Sequence, residues 1–150
     1  MTTIVHQKGV IEFKTENYPK AEAYFREALV LCKPSDGDHQ VMGTAWEPTL
    51  CNLALTCHKQ RKYEDAIQLY EEALAICPRS AATYAGIAYT NHCMALLSNS
   101  SFATAIEWYH KALGLNPDDT FSAQMLQRAL IAEVEQDVDG DDVGGTASTV

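Results

Sequence analysis

Small and aromatic side chains recur along the chain at the spacing of a single helix face. Ala21, Phe25 and Ala28 stand at i, i+4 and i+7, positions that share a face at 3.6 residues per turn. The set returns as Ala66, Tyr70 and Ala73, and again as Ala105, Tyr109 and Ala112. Each lies in a segment that opens on an aromatic and ends in Ala-Leu: Tyr18–Leu29, Tyr63–Leu74 and Phe102–Leu113. Pro34, Pro78 and Pro117 follow within a few residues, and each stops its helix, because proline lacks the amide donor and biases its predecessor away from helix. Alanine lets a second helix approach closely, and the aromatic fills the space beside it. Three such segments in phase are a repeat.

Upstream of each segment lies a companion helix. Leu50, Leu53, Ala54 and Cys57 precede the second segment, and Tyr84, Ile87 and Ala88 follow at a distance of 34 residues. Val5 and Gly9 hold the same places before the first. Small residues at Gly9, Ala54 and Ala88 allow tight helix–helix contact. The pattern predicts an all-α superhelix with hairpins at about residues 2–34, 47–78 and 81–117. A closing helix is expected at 119–135, capped by Asp119 or Thr120, with Phe121, Met125, Leu126, Leu130 and Val134 as its stripe. From Gln136 onward an Asp/Gly/Ser/Thr mixture predicts a disordered acidic tail, 136–150. At the other end Ile4, Val5, Val10, Ile11 and Phe13 spread over more than one face. An uncovered apolar end implies further repeats or an attached partner.

The spacing is not uniform. Tyr18 to Tyr63 is 45 residues and Tyr63 to Phe102 is 39. The first excess falls in Pro34–Thr44, turn-rich by composition. The second, five residues near Leu97–Ser101, leaves two possibilities open: a long turn, or an extra turn of helix.

Charge narrows the partners. The net charge is −9, yet from Glu133 onward there are six acids and no Lys or Arg, so the body is nearly neutral. Without a basic patch, nucleic acid and membrane are excluded as partners. Five cysteines with no C-x-x-C pair read as reduced thiols, placing the chain in nucleus and cytoplasm. The N-terminus lacks a signal-peptide core, and no apolar run approaches twenty residues.

Candidate chemistry is thin. Cys57-His58 and His92-Cys93 invite a metal reading, but helix neighbours diverge by about a hundred degrees and cannot share one ion. Asp137–Asp142 places acids as a calcium loop does, but its glycine is misplaced and Ser148 stands where a glutamate is needed. No nucleophile motif or phosphate-cradling loop is present. The expectation is a non-enzyme with no cofactor and no metal.

Over residues 2–117 these segments resemble the tetratricopeptide repeat family, with Leu50, Leu53, Ala54 and Cys57 in its W-x-x-L-G-x-x-Y positions. Three stretches are more particular: Trp46–Leu53, Ser80–Tyr89 and Ala112–Ser122. They look like the C-terminal part of the sixth, Cut9-type scaffold subunits of the anaphase-promoting complex. That resemblance implies a non-catalytic member of a ubiquitin ligase acting in mitosis and cell division. Its partners would be other subunits of the complex, including a small accessory subunit whose N-terminal segment the superhelix encloses. Self-association in that family rests on N-terminal repeats absent from this chain, so the resemblance leaves it open here.

In such a solenoid the first helix of each pair lines the concave side. Asn52, Leu55, His58 and Lys59, with Ala85, Tyr89 and His92, are then the groove positions, extended by His6, Val10 and Phe13. The bland alternative for each is inner-surface packing. Co-chaperone clamps for acidic C-termini place Lys and Asn on these helices. Here the corresponding residues are His6, Val10, Ala82 and Gly86, and only Asn52 remains. Thr49–Leu55 with Tyr63–Ala66 also looks like kinesin light chain repeats, a cargo-adaptor alternative. A regulatory module of a multidomain enzyme is a third.

Overall fold

A computed structural model describes residues 1–32 and 46–142, with side chains through 140. Seven helices are present among these residues: α1 (Thr2–Lys14), α2 (Tyr18–Leu31), α3 (Trp46–Lys59), α4 (Tyr63–Ile76), α5 (Ala81–Ser98), α6 (Ala103–Leu115) and α7 (Thr120–Asp142). They form the expected all-α superhelix: hairpins α1–α2, α3–α4 and α5–α6 stack in order, and α7 closes on α6. The Pro34–Thr44 loop, Pro34 as a helix stop, and the tail beyond Asp142 lie outside the described residues.

The chain reverses within each hairpin by a repeated device. Glu16 and Arg61 adopt left-handed φ values of 61° and 62°. The amide of the next residue reaches back to the helix: Asn17 to the Glu12 carbonyl at 2.8 Å and Lys62 to the Cys57 carbonyl at 2.9 Å. This Schellman closure normally takes glycine, since an L side chain in that region costs about 1–2 kcal/mol. Arg61→Gly is therefore expected to raise the unfolding free energy by about 0.5–1 kcal/mol, after the greater freedom of glycine in the unfolded chain is subtracted. A urea melt reads the gain.

Between hairpins the geometry also repeats. Cys77 and Asn116, each preceding a proline, are extended at ψ 83° and 87°, as steric clash with the proline ring requires. Ser80 then accepts the Thr83 amide to cap α5, and Asp119 accepts the Phe121 amide at the start of α7. The ambiguity at 97–101 resolves mainly as extra helix. α5 has 18 residues against 14 in α3, and Asn99, left-handed at φ 50°, ends it.

Gly9, Ala21, Phe25, Ala28, Ala54, Ala66, Tyr70, Ala73, Ala88, Ala105, Tyr109 and Ala112 are all buried. Space at two glycines is filled by rings. A Cβ on Gly9 would sit 2.7 Å from Phe25 Cε1, and one on Gly86 2.6 Å from Tyr70 Cζ.

The closing helix differs from expectation in two respects. It runs to Asp142 rather than stopping at 135, so residues 136–142 are helix and not tail. Part of the reason lies in Gln136, whose amide donates to the Ser100 carbonyl at 3.2 Å. Its buried face is Ser122, Met125 and Ala129. Of the expected stripe, Met125 is buried and Leu126 half-buried, whereas Phe121, Leu130 and Val134 are exposed. Two of the three buried side chains, Ser122 and Ala129, are small, a choice that a hydrophobic pattern does not display.

One polar clamp joins the first two hairpins. Glu22 on α2 accepts Gln60 Nε2 at 2.7 Å and Lys62 Nζ at 2.9 Å, and pairs with Arg26 on its own helix. Burial alone would raise its carboxyl, but the hydrogen bonds from Lys62, Gln60 and Arg26 and the Lys62 charge hold it at about 2. A folded value below the unfolded 4.5 gives stability that is complete above 4.5 and lost as pH falls toward 2. Glu22→Gln is expected to cost about 1 kcal/mol at neutral pH, limited by screening at exposed Lys62, and to flatten the acid limb of stability measured by denaturant titration at several pH values.

Candidate functional site

The first helices α3 and α5, together with the start of α7, enclose a cleft of about 380 Å³. Leu55, Ala85, Tyr89 and Phe121 supply much of its apolar wall, with Asp119 contributing a carboxylate. Burial sorts the seven groove positions. Asn52, Leu55 and Tyr89 are half-buried and Lys59 is exposed, while Ala85, His58 and His92 are buried. Leu55, His58, Ala85 and Tyr89 share the cleft. Asn52 instead bonds to His6 at 3.3 Å, and His92 bonds to Tyr109 on α6 at 3.2 Å. His92 thus ties α5 to its own companion helix. In the first repeat, His6, Val10 and Phe13 are half-buried.

His6 and His58 tie neighbouring first helices together. His6 Nδ1 meets Thr49 Oγ1 at 2.9 Å, and His58 Nδ1 meets Thr90 Oγ1 at 2.9 Å. The Thr90 hydroxyl proton is committed to the Gly86 carbonyl at 2.8 Å, so the Thr90 oxygen accepts and His58 Nδ1 carries the proton. His58 Nε2 is then an acceptor, with Cys93 Sγ 3.9 Å away. At His6 the Asn52 amide donates to Nε2, which again puts the ring proton on Nδ1. Tyr89 stacks on His58 with centroids 5.1 Å apart and meets Phe121 edge-on at 5.3 Å, so three rings run together along part of the cleft wall.

Sequence reasoning missed the threonines. Thr49 and Thr83, like Thr56 and Thr90, are 34 residues apart, and all four are buried. Thr56 and Thr90 each donate to the carbonyl four residues back, those of Asn52 and Gly86. Their shared 34-residue period was the available signal.

Burial depresses the pKa of His6, of His58 (with help from Lys59) and of His92 (with help from Arg128) below 6.5. The unfolded chain therefore takes up protons first as pH falls. Stability is complete above about pH 7 and declines through 6.5 toward the folded values. The urea midpoint is expected to be lower at pH 5.5 than at 7.5, and His58→Gln to reduce that difference.

Burial also raises the thiols of Cys51 and Cys57 to about 11, which keeps both protonated and unsuited to nucleophilic work. What the cleft offers is shape, aromatic surface and a few hydrogen-bonding groups.

Helical hairpins stacked through small residues, with their first helices lining an inner cleft, define an α-solenoid of the hairpin-repeat class. The family model described as tetratricopeptide repeat matches residues 1–79, and the chain belongs to that family. Among similar proteins, the cell division cycle protein 16 homolog of Mus musculus is 37% identical over 123 residues, covering 82% of this chain and 19% of the relative. Anaphase-promoting complex subunit 6 of Arabidopsis thaliana is 39% identical over 136 residues, covering 91% and 23%. The chain thus spans about a fifth of the length of these curated relatives. Of solved structures, the APC/C hetero-tetramer Cut9-Hcn1 superposes with a TM-score of 0.73 at 24% identity, over 86% of this chain and 23% of that one. The first TPR domain of human RPAP3 gives 0.72 at 17% identity, over 91% and 95%. Both are likenesses of fold.

Proposed function

We propose that this chain is a non-catalytic scaffold unit of the anaphase-promoting complex, acting in nucleus and cytoplasm in the ubiquitin-dependent control of cell division. Its task is to hold a segment of another subunit, such as a small accessory subunit, against the concave wall. The cleft of Leu55, Ala85, Tyr89 and Phe121 carries this reading. It presents apolar and aromatic surface to a side chain, and nothing in it is arranged to break or make a bond. The 39% identity with anaphase-promoting complex subunit 6 over most of the chain supports the choice of complex.

A second surface favours assembly. α5 and α7 both begin three residues after a proline, so Leu130, Ile131 and Val134 stand in the register of Asn91, His92 and Ala95. On α5, His92 and Ala95 are buried, and His92 bonds to α6. On α7 the three equivalents are exposed. That face has the register of a first helix awaiting its second, and a helix from a further hairpin or a partner subunit fits there.

The co-chaperone reading has behind it a likeness of fold to RPAP3 domains solved with HSP90 and HSP70 peptides, but the inward positions argue against it. His6 and Asn52 bond to one another, and Val10, Ala82 and Gly86 bring no charge to hold a carboxylate pair. Affinity capture of the tagged chain from mitotic cells, followed by mass spectrometry, tests the proposal. Recovery of the ligase subunits is the expected result; recovery of a chaperone or kinesin heavy chain in their place overturns it.

A further inference from the structure

α7 is held to the stack in two different ways along its length. Its first half buries Ser122, Met125 and Ala129. In its second half, Leu130, Ile131, Val134 and Val138 all face outward. There the hydrogen bonds to the rest of the fold converge on the turn between α5 and α6. Glu133 Oε1 accepts the Ser101 hydroxyl at 2.7 Å, Glu133 Oε2 accepts the Phe102 amide at 2.6 Å, and Gln136 donates to the Ser100 carbonyl. The longer α5 and its shifted turn carry Ser100–Phe102 to this meeting point. A carboxylate on one helix therefore caps the start of another, and an exposed serine hydroxyl is its bonded partner.

We propose that Ser101 is a phosphorylation site, and that its modification releases the second half of α7 from the stack. A protein kinase would transfer the terminal phosphoryl group of a nucleoside triphosphate. The bond from that phosphorus to the bridging oxygen breaks, the Ser101 Oγ–P bond forms, the hydroxyl proton leaves, and nucleoside diphosphate departs. Three consequences act in one direction. The hydroxyl donor to Glu133 is gone. A group of charge about −2 stands beside the Glu133 carboxylate and repels it. The phosphate oxygens also compete for the donors at the start of α6, where the Phe102 amide serves Glu133 and the Ala103 amide already meets Ser101 Oγ at 3.1 Å; the helix dipole favours the new anion there. Glu133 loses both partners, and only the Gln136 bond and the small contact of half-buried Ala132 are left to hold the segment. Ser98 and Ser100 sit in the same turn, but their hydroxyls bond to each other and to the Met94 carbonyl rather than to α7. They are internal controls.

The test uses the whole chain with phosphoserine incorporated at position 101 during translation, followed by amide hydrogen exchange. Amides of residues 130–142 are expected to exchange at least about tenfold faster than in the unmodified chain, with those of α1–α4 unchanged. Phosphoserine at position 98 should leave α7 protected. Glu133→Gln in the phosphorylated chain should restore much of the protection, because an amide can donate to phosphate where a carboxylate repels it. Unchanged exchange with phosphoserine at 101, or equal effects from positions 98 and 101, overturns the release mechanism. Phosphopeptide mapping of the chain recovered from dividing cells tests the site itself: phosphate on Ser101 supports it, and phosphate confined to other serines or absent refutes it.

Discussion

Replacing Phe25 with alanine is expected to remove about 3–5 kcal/mol of stability, the cost of emptying a fully buried aromatic site. Phe25 is 1% exposed, lies against Gly9 and meets the His6 ring at a centroid distance of 5.4 Å. The ring also belongs to the cluster that includes Leu53, Ala54 and Cys57 of the next hairpin. Truncation therefore loosens α1 from α2 and the first hairpin from the second. Since a domain of this size holds roughly 5–15 kcal/mol in all, the first hairpin should unfold at a lower urea concentration than the rest, and the single transition should broaden or split. The opposite change disturbs the same contact by crowding. Gly9→Leu places side-chain atoms where the ring already stands and should cost about 1–3 kcal/mol. Combining the two lets the leucine enter the space the ring has left, so the double variant should be more stable than the sum of the two losses implies. Strict additivity in that cycle would mean that Gly9 and Phe25 do not share the contact described.

Introducing a charge into the cleft is expected to have the largest effect on partner binding. Leu55→Glu puts a carboxylate on the apolar wall opposite Tyr89 and Phe121, within the cleft that also holds Asp119. A partner side chain seated there would leave the new charge desolvated and unpaired. A loss of about a hundredfold in affinity, or roughly 2.7 kcal/mol, is the expected scale for a central contact. Leu55 is half-buried and outside the core cluster, so the fold should persist, with a melting temperature within a few degrees of the parent. Titration of captured partner against parent and variant chains measures the loss. Equal affinities would remove this cleft as the binding surface and leave the outer face of α7 as the principal one.

Much of the fold was legible because periodicity writes helix faces directly into the chain. Ala21, Phe25 and Ala28 and their two sets of equivalents identified the second helices, and Pro78 and Pro117 marked where α4 and α6 end. The second half of α7 was not legible in that way. Its acids and glycine read as a tail, but Glu133 and Gln136 bond to a turn more than thirty residues earlier, and such tertiary partners leave no local trace. Helix phase gives candidate groove positions, and no finer distinction among them. Leu55, His58, Ala85 and Tyr89 line one cleft, yet His58 is also held by Thr90, and His92 is taken out of the cleft by Tyr109. The hydroxyl that claims each imidazole comes from another helix, so phase alone does not distinguish a ring that greets a guest from one that holds the wall together.

The histidine–threonine ties also bear on how the coil bends. They join first helices to first helices, along the inner rim, much as a stitched spine holds the pages of a book. The second helices are joined to the next hairpin by packing and, at Glu22, by its polar clamp, whereas the stitched side is held first helix to first helix. For a guest held as proposed, length along the spine would then weigh more than girth.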